Sequence, residues 1–222
     1  MSRPKLLDLY SGAGGAARGY QQAGFHVTGV DIKPQSRYAG DVFIQADALE
    51  YLAEHGREYD AIHASPPCQG YSRMLCVTGG TTKPKLIAET RGVLQVTGRP
   101  YVIENVEMAK DDMQNWVLLC GTGFGLRVRR HRLFETAPLL PVLVPPCHCK
   151  NGVRDGVLIG HRLRGPKPPG QVVPPIFTER ELRAAIGVEW MSMVEMRESI
   201  PPAYTRFLGE HLLATVALES VS

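Results

Sequence analysis

The chain has 222 residues, 44% of them hydrophobic and 21% charged, with a net charge of +3. The charge is uneven: residues 127–170 hold nine Lys or Arg against two acids, Glu135 and Asp155, so this block carries +7 and the remainder −4. The composition excludes a wholly disordered chain, no run approaches the about 18 apolar residues of a membrane span, and the basic block suggests a polyanionic partner, nucleic acid first.

In chain order, Lys5–Leu9 is a short apolar run that predicts a buried strand. A glycine turn at Gly12–Gly15 follows, then a helix over Ala16–Ala23 ended by Gly24. Phe25–Val30, Val42–Gln45 and Asp60–Ala64 predict three more strands, the last stopped by Pro66 and Pro67. Residues 70–84, rich in Gly, Thr and Pro, predict a loop suited to act as a lid. Apolar spacing predicts a helix over Leu86–Val96 and a fifth strand at Tyr101–Ile103, with Glu104 and Asn105 at its end. Trp116–Cys120 and Leu133–Phe134 are further strand candidates. Nine of the 17 prolines fall in 137–175, which predicts a loop-rich insertion. Thr178 to Glu181 form a capping box opening a short helix that Gly187 ends, and Ser192 to Glu195 repeat that signal. Pro201 and Pro202 start a C-terminal helix with Tyr204, Phe207, Leu208, Leu212 and Val216 on one face. This alternation predicts an α/β fold, a parallel sheet covered by helices on both faces. The expected organisation is a core over 1–135, an insertion over 136–177, and C-terminal helices over 178–222 that complete the core.

Two segments carry chemistry. Between the first strand and helix, Gly12, Gly14 and Gly15 let the backbone turn tightly and approach a ligand. Asp31, ending the second strand, is placed to accept from ribose hydroxyls, and Asp47, after the third, from an adenine amino group. Gly12-x-Gly14-x-x-Ala17 also fits a dinucleotide fingerprint, so a nicotinamide or flavin enzyme competes with an adenosyl-methionine enzyme at this point. The second segment is Ser65-Pro66-Pro67-Cys68-Gln69, a cysteine just past a strand's carboxyl end, where open α/β sheets bind ligands. Five cysteines, an odd count, and an N-terminus without a signal-peptide pattern predict free thiols in a cytoplasmic protein.

Pro67-Cys68-Gln69-x-x-Ser72 resembles the nucleophile motif of the DNA cytosine-5 methyltransferase family. Five further segments resemble that family's motifs in its order: Asp8 to Gly15, Val30-Asp31 with Asp47, Glu104-Asn105-Val106, Arg130-His131-Arg132, and Ser199-Ile200-Pro201-Pro202. The resemblance implies a class I Rossmann-like methyltransferase fold, mostly parallel, that uses S-adenosyl-methionine and acts on DNA presenting a flipped-out or unpaired cytosine. It implies Cys68 as nucleophile, with Glu104, Arg130 and Arg132 as its catalytic partners and His131 pointing away. It assigns the cofactor to Asp8, Tyr10, Gly12, Gly14, Gly15, Asp31, Ile32, Asp47, Ala48, Pro66 and Ser199. Nucleic-acid contacts are expected from Gln69, Ser72, Arg73, Lys150, Arg162 and Arg164. The short, basic insertion implies relaxed site recognition and a compact, phage-like protein. Where the family carries Gln before the arginine pair this chain has Val128, and where it carries Gly-Asn before the closing Ser it has Arg197-Glu198. RNA cytosine, a modified cofactor and a non-catalytic nucleic-acid-binding role are the alternatives. Cys147-His148-Cys149, with His161 as the nearest further ligand, falls short of zinc-site spacing, so no metal is expected.

Overall fold

The computed structural model describes residues 2–71, 84–149 and 178–219. Its strands are β1 (Lys5–Leu9), β2 (His26–Asp31), β3 (Val42–Gln45), β4 (Ala61–Ala64), β5 (Tyr101–Asn105), β6 (Val117–Cys120) and β7 (His131–Ala137). The helices are α1 (Gly15–Ala23), α2 (Ala48–His55), α3 (Ile87–Thr97), α4 (Glu179–Ile186), α5 (Met193–Glu198) and α6 (Pro202–Glu219). All seven strands form one sheet in the order β3-β2-β1-β4-β5-β7-β6.

Period-two alternation sends neighbouring strand residues to opposite faces. Leu7, Ile62 and Ile103 pack with Leu52 of α2 and Leu94 of α3. Leu6, Ala61 and Val102 pack on the other face with Tyr20 of α1 and with Tyr204, Leu208 and Leu212 of α6. Helices α1 and α6 lie close because both present glycines: a Cβ on Gly19 would lie 2.1 Å from Thr205 Oγ1, and one on Gly209 2.8 Å from Ala23 Cβ. A third cluster joins Ala13 of the glycine turn to Val128, Ile186, Val188, Met191 and Met196.

The sheet is mostly parallel, as expected: β3 through β5 run parallel, and β7 runs antiparallel to both β5 and β6. Only residues 121–130 separate β6 from β7, too few for the crossover a parallel pair requires. The strand at Leu133–Phe134 also extends over His131–Ala137, since its flanking polar residues find internal partners. Glu135 is one of them: Arg91 grips it with Nε on Oε1 at 2.6 Å and Nη2 on Oε2 at 2.7 Å, and the pair is buried. Helix α2 was not anticipated. Asp47 starts it as N-cap, its Oδ1 accepting from the backbone N–H of Leu49 and Glu50 at 2.9 and 3.1 Å. No helix among the described residues is long and apolar enough to cross a membrane.

Candidate active site

The carboxyl ends of β1, β2, β4 and β5 open onto one edge of the sheet. After β1 the chain turns sharply. Tyr10 adopts φ 58° and Gly12 φ 49°, both left-handed, a conformation that strains a residue with a Cβ. The Gly12 backbone N–H donates to Asp31 Oδ2 at 3.0 Å, and Lys33 N–H donates to Oδ1 at 2.9 Å, so Asp31 braces the turn from the end of β2. Each carboxylate oxygen keeps a second lone pair for a ligand hydroxyl. Ile32 beside it is 67% exposed.

A Cβ on Gly12 would meet nothing within 4 Å, so a side chain there would fill the open space beside the turn. One on Gly15 would lie 2.5 Å from the Ile200 carbonyl oxygen, and Gly14 has φ 82°. The segment Ser199–Ile200 thus closes against the glycine turn. Ser199 is buried and its hydroxyl caps α5 on Met196 O at 2.8 Å. Trp190, which sequence reasoning did not single out, donates its indole N–H to Ala13 O at 2.9 Å. Ala48 is buried at the start of α2, and the Tyr10 hydroxyl lies 3.3 Å from that of Thr90.

Asp8 is 1% exposed, and neither carboxylate oxygen has a hydrogen-bond partner among the described residues. Burial pushes its pKa well above the ordinary range. The backbone N–H of Ala17 pulls the other way without reaching hydrogen-bond geometry, and the charges of Asp31 and Glu104 add to the rise.

The catalytic candidates converge. Cys68 lies in the short turn after β4 and is exposed. Glu104, 6% exposed on β5, pairs with Arg132 of β7, Nε to Oε1 at 2.8 Å. Antiparallel pairing of Glu104 with Phe134 puts Arg132, two residues from Phe134 on the same face, diagonally across from Glu104. Asn105 joins the two motifs: its Nδ2 donates to Pro66 O at 2.9 Å, fastening the buried Pro66 and the cysteine turn to the end of β5. Arg130 is buried, donates to Arg197 O at 2.8 Å, and its own carbonyl accepts from the Tyr204 hydroxyl. Burial, and then the neighbouring Arg132, lower its pKa.

Electrostatics shift both groups toward their protonated forms. Burial raises the Glu104 pKa, opposed by Arg132, Arg130 and a hydrogen bond from Ser65. Desolvation of the Cys68 sulfur raises its thiol, Arg132 pulls it down, and Glu104 and Glu198 push it up. The arginines were expected to favour the thiolate; the pull exists, but desolvation outweighs it. A buried polar chain also reaches Glu104. The Tyr20 hydroxyl meets His63 Nδ1 at 3.0 Å and His63 Nε2 meets Ser65 Oγ at 2.9 Å, and the Ser65 side chain pulls the Glu104 pKa down. Burial lowers the His63 pKa to about 3, so the ring is neutral.

Arg130, Arg132 and Glu135 of the basic block are thus internal, while Arg127 and Arg129 are exposed. Val128 is fully buried in the third core cluster. Gln69 belongs to the cysteine turn. Ser72, Arg73, Lys150, Arg162, Arg164 and residues 72–83 of the expected lid lie outside the described residues.

The strand order with a reversed β7, the glycine turn after β1 and the acid ending β2 define a class I Rossmann-like methyltransferase fold. A dinucleotide dehydrogenase would instead carry the all-parallel order 3-2-1-4-5-6. No family model matches the chain. It is similar to the type II methyltransferase M.XorII of Xanthomonas oryzae pv. oryzae, 30% identical over 150 residues, which covers 60% of this chain and 31% of that protein. It is also similar to the type II methyltransferase M1.HphI of Haemophilus parahaemolyticus, 34% identical over 79 residues, covering 30% of this chain and 21% of that one. The chain spans less than a third of the length of these two curated relatives. Among solved structures, the S. pombe Dnmt2 methyltransferase superposes with a TM-score of 0.45 at 19% identity, covering 60% of this chain and 49% of the other. The resemblance to methyltransferases drawn from the motifs stands.

Proposed function

We propose that the chain carries the catalytic core of a DNA methyltransferase that modifies carbon 5 of cytosine through a covalent bond from Cys68 to ring carbon 6. The observation that carries this reading is the buried Glu104–Arg132 pair at the sheet edge beside Cys68.

The residues of the glycine turn suit S-adenosyl-methionine. Open space beside Gly12, the unsatisfied carboxylate of Asp8 and the exposed Ile32 are features a bound adenosyl group would fill or satisfy. Asp31 would hold the ribose hydroxyls. Ile32, Asp47, Ala48 and the Tyr10 ring would hold the adenine, and Gly14, Gly15, Pro66 and Ser199 would shape the remainder. When bound, this cofactor supplies a methyl group on a sulfonium.

The chain's own residues do the rest. The target carbon is inaccessible in a stacked duplex, so the cytosine is flipped out or already unpaired. The thiolate of Cys68 adds to carbon 6. Electrons move toward ring nitrogen 3, where Glu104, whose raised pKa lets it carry a proton, protonates it. Arg132 then balances the carboxylate left behind. After carbon 5 has gained the methyl group, a base removes the carbon 5 proton, water being the simplest candidate. The electrons of that C–H bond expel Cys68 as thiolate, and nitrogen 3 returns its proton to Glu104.

The test is trapping on oligonucleotides containing 5-fluorocytosine with adenosyl-methionine, since fluorine cannot leave as a proton does. A covalent complex on DNA with the wild type, and at least a roughly thousandfold loss in Cys68→Ser, is expected. The trapping rate should climb with pH toward and past the ordinary thiol value of 9.0, because the Cys68 pKa is raised. Parallel single-stranded DNA and RNA arms separate the substrates. Adducts on RNA alone would replace DNA with RNA, and no adduct on any arm would overturn the proposal.

A further inference from the structure

Four soft ligand-bearing side chains meet on β6, β7 and the segment after them, at the same sheet edge as the carboxyl end of β5 but two strands further across. Cys120, His131, Cys147 and Cys149 place their ligand atoms within 4.8 Å of one another. His131 Nε2 is 3.0 Å from Cys149 Sγ and 3.5 Å from Cys147 Sγ, and the two sulfurs are 2.8 Å apart. That sulfur separation is well beyond the about 2.05 Å of a disulfide bond. Tetrahedral zinc with thiolate bonds of about 2.3 Å needs sulfur donors about 3.8 Å apart, and the separations here, from 2.8 Å to within 4.8 Å, span that value.

We propose that Cys120, His131, Cys147 and Cys149 form a structural zinc site of the three-cysteine, one-histidine type. Zinc fits because thiolate and imidazole are its preferred donors, and four protein ligands close its tetrahedron. The expectation of an ordinary loop without metal weighed only Cys147, Cys149 and the distant His161. The antiparallel register instead sets Cys120 of β6 directly opposite His131 of β7. Cys120 and Cys149 are buried and the His131 side chain is 14% exposed.

A second shell supports the site independently. The other ring nitrogen of His131, Nδ1, faces Glu107 Oε2 at 3.1 Å. A carboxylate at that nitrogen orients a metal-binding imidazole and keeps Nε2 free to ligate. Thr122 Oγ1 lies 3.2 Å from Cys120 Sγ and accepts the His148 backbone N–H at 3.0 Å, pinning the Cys147–Cys149 segment to the turn after β6. His131 is flanked by Arg130 and Arg132. A metal there would brace the strand that aims Arg132 at Glu104, and would anchor the chain where it enters residues 150–177.

The experiment measures metal in the full chain, purified under reducing conditions without chelator, by plasma mass spectrometry. About one zinc per chain is expected, falling at least tenfold in Cys120→Ser and in Cys149→Ser and unchanged in Cys68→Ser. Cobalt loading should give the visible bands of a tetrahedral thiolate site. His131→Cys, a ligand exchange, should keep the metal while shifting that spectrum toward four thiolates, and it guards against variants that merely misfold. Failure of the wild type to retain zinc or cobalt, metal content untouched by Cys120→Ser and Cys149→Ser, or a Cys147–Cys149 disulfide in the reduced preparation would each overturn the proposal. None of these readouts depends on methyl transfer, so this site and the proposed activity fail separately.

Discussion

The two ends of the sheet build their sites differently. At β1–β3 the candidate cofactor residues sit within a few positions of a strand end, and backbone geometry does most of the work: left-handed Tyr10 and Gly12, with Asp31 accepting from the turn. At β5–β7 the candidate catalytic and metal residues come from segments far apart in sequence, brought together by antiparallel register. Glu104 meets Arg132 and Cys120 meets His131, while Arg91 reaches Glu135 from the covering helix α3. A glycine turn tolerates change in its surroundings but not in its own residues. A register-built site depends on every strand that sets the register.

The largest effect should come from Glu104→Gln. Loss of the proton carrier should lower methyl transfer by about 10²–10⁴-fold, with little change in fold. Steady-state methylation alongside circular dichroism checks this, and near-normal turnover would break the assignment of Glu104. Next is Glu135→Ala, which leaves Arg91 buried and uncompensated at a cost of about 3–5 kcal/mol. Urea unfolding should show it. A loss under about 1 kcal/mol would mean that the β5–β7 half does not rely on this buried helix–strand pair. Gly19→Ala should cost about 1–3 kcal/mol by forcing α1 from α6, since its Cβ meets Thr205 Oγ1 and the Pro202 carbonyl at 2.1 and 2.2 Å.

The smallest effect concerns Asp8. A carboxyl whose pKa is raised on folding stabilises the fold below its unfolded value of 3.8, and this contribution is lost as pH rises through the elevated folded value. Asp8→Asn should therefore raise Tm slightly at neutral pH and flatten its fall with increasing pH, measured without cofactor. The same variant should weaken adenosyl-methionine binding by calorimetry. A lower Tm at neutral pH would contradict the unpartnered carboxylate.

Much of this was legible in the chain itself. Lys5–Leu9 is bounded correctly because a short apolar run between turn residues has few other ways to be buried, and Val42–Gln45 is bounded as well, although as the edge strand of the sheet it stays partly exposed. Capping boxes at Thr178 and Ser192 marked two helix starts, since those hydrogen bonds span only three residues. Helix α2 escaped notice because Asp47, read as a ligand contact, is its N-cap.

The order of motifs along the chain, and with it the likeness to methyltransferases, is a local property, and the sequence by itself determined it. So did the turn at Gly12–Gly15, whose positive φ angles favour glycine. The tertiary structure alone decided the reversal of β7, the Asn105 clasp on Pro66, the burial of Arg130 and Glu135 within a basic block, and the meeting of Cys120 with Cys147 and Cys149. Each of these pairs residues across strands or loops, and register, not spacing, sets which side chains meet.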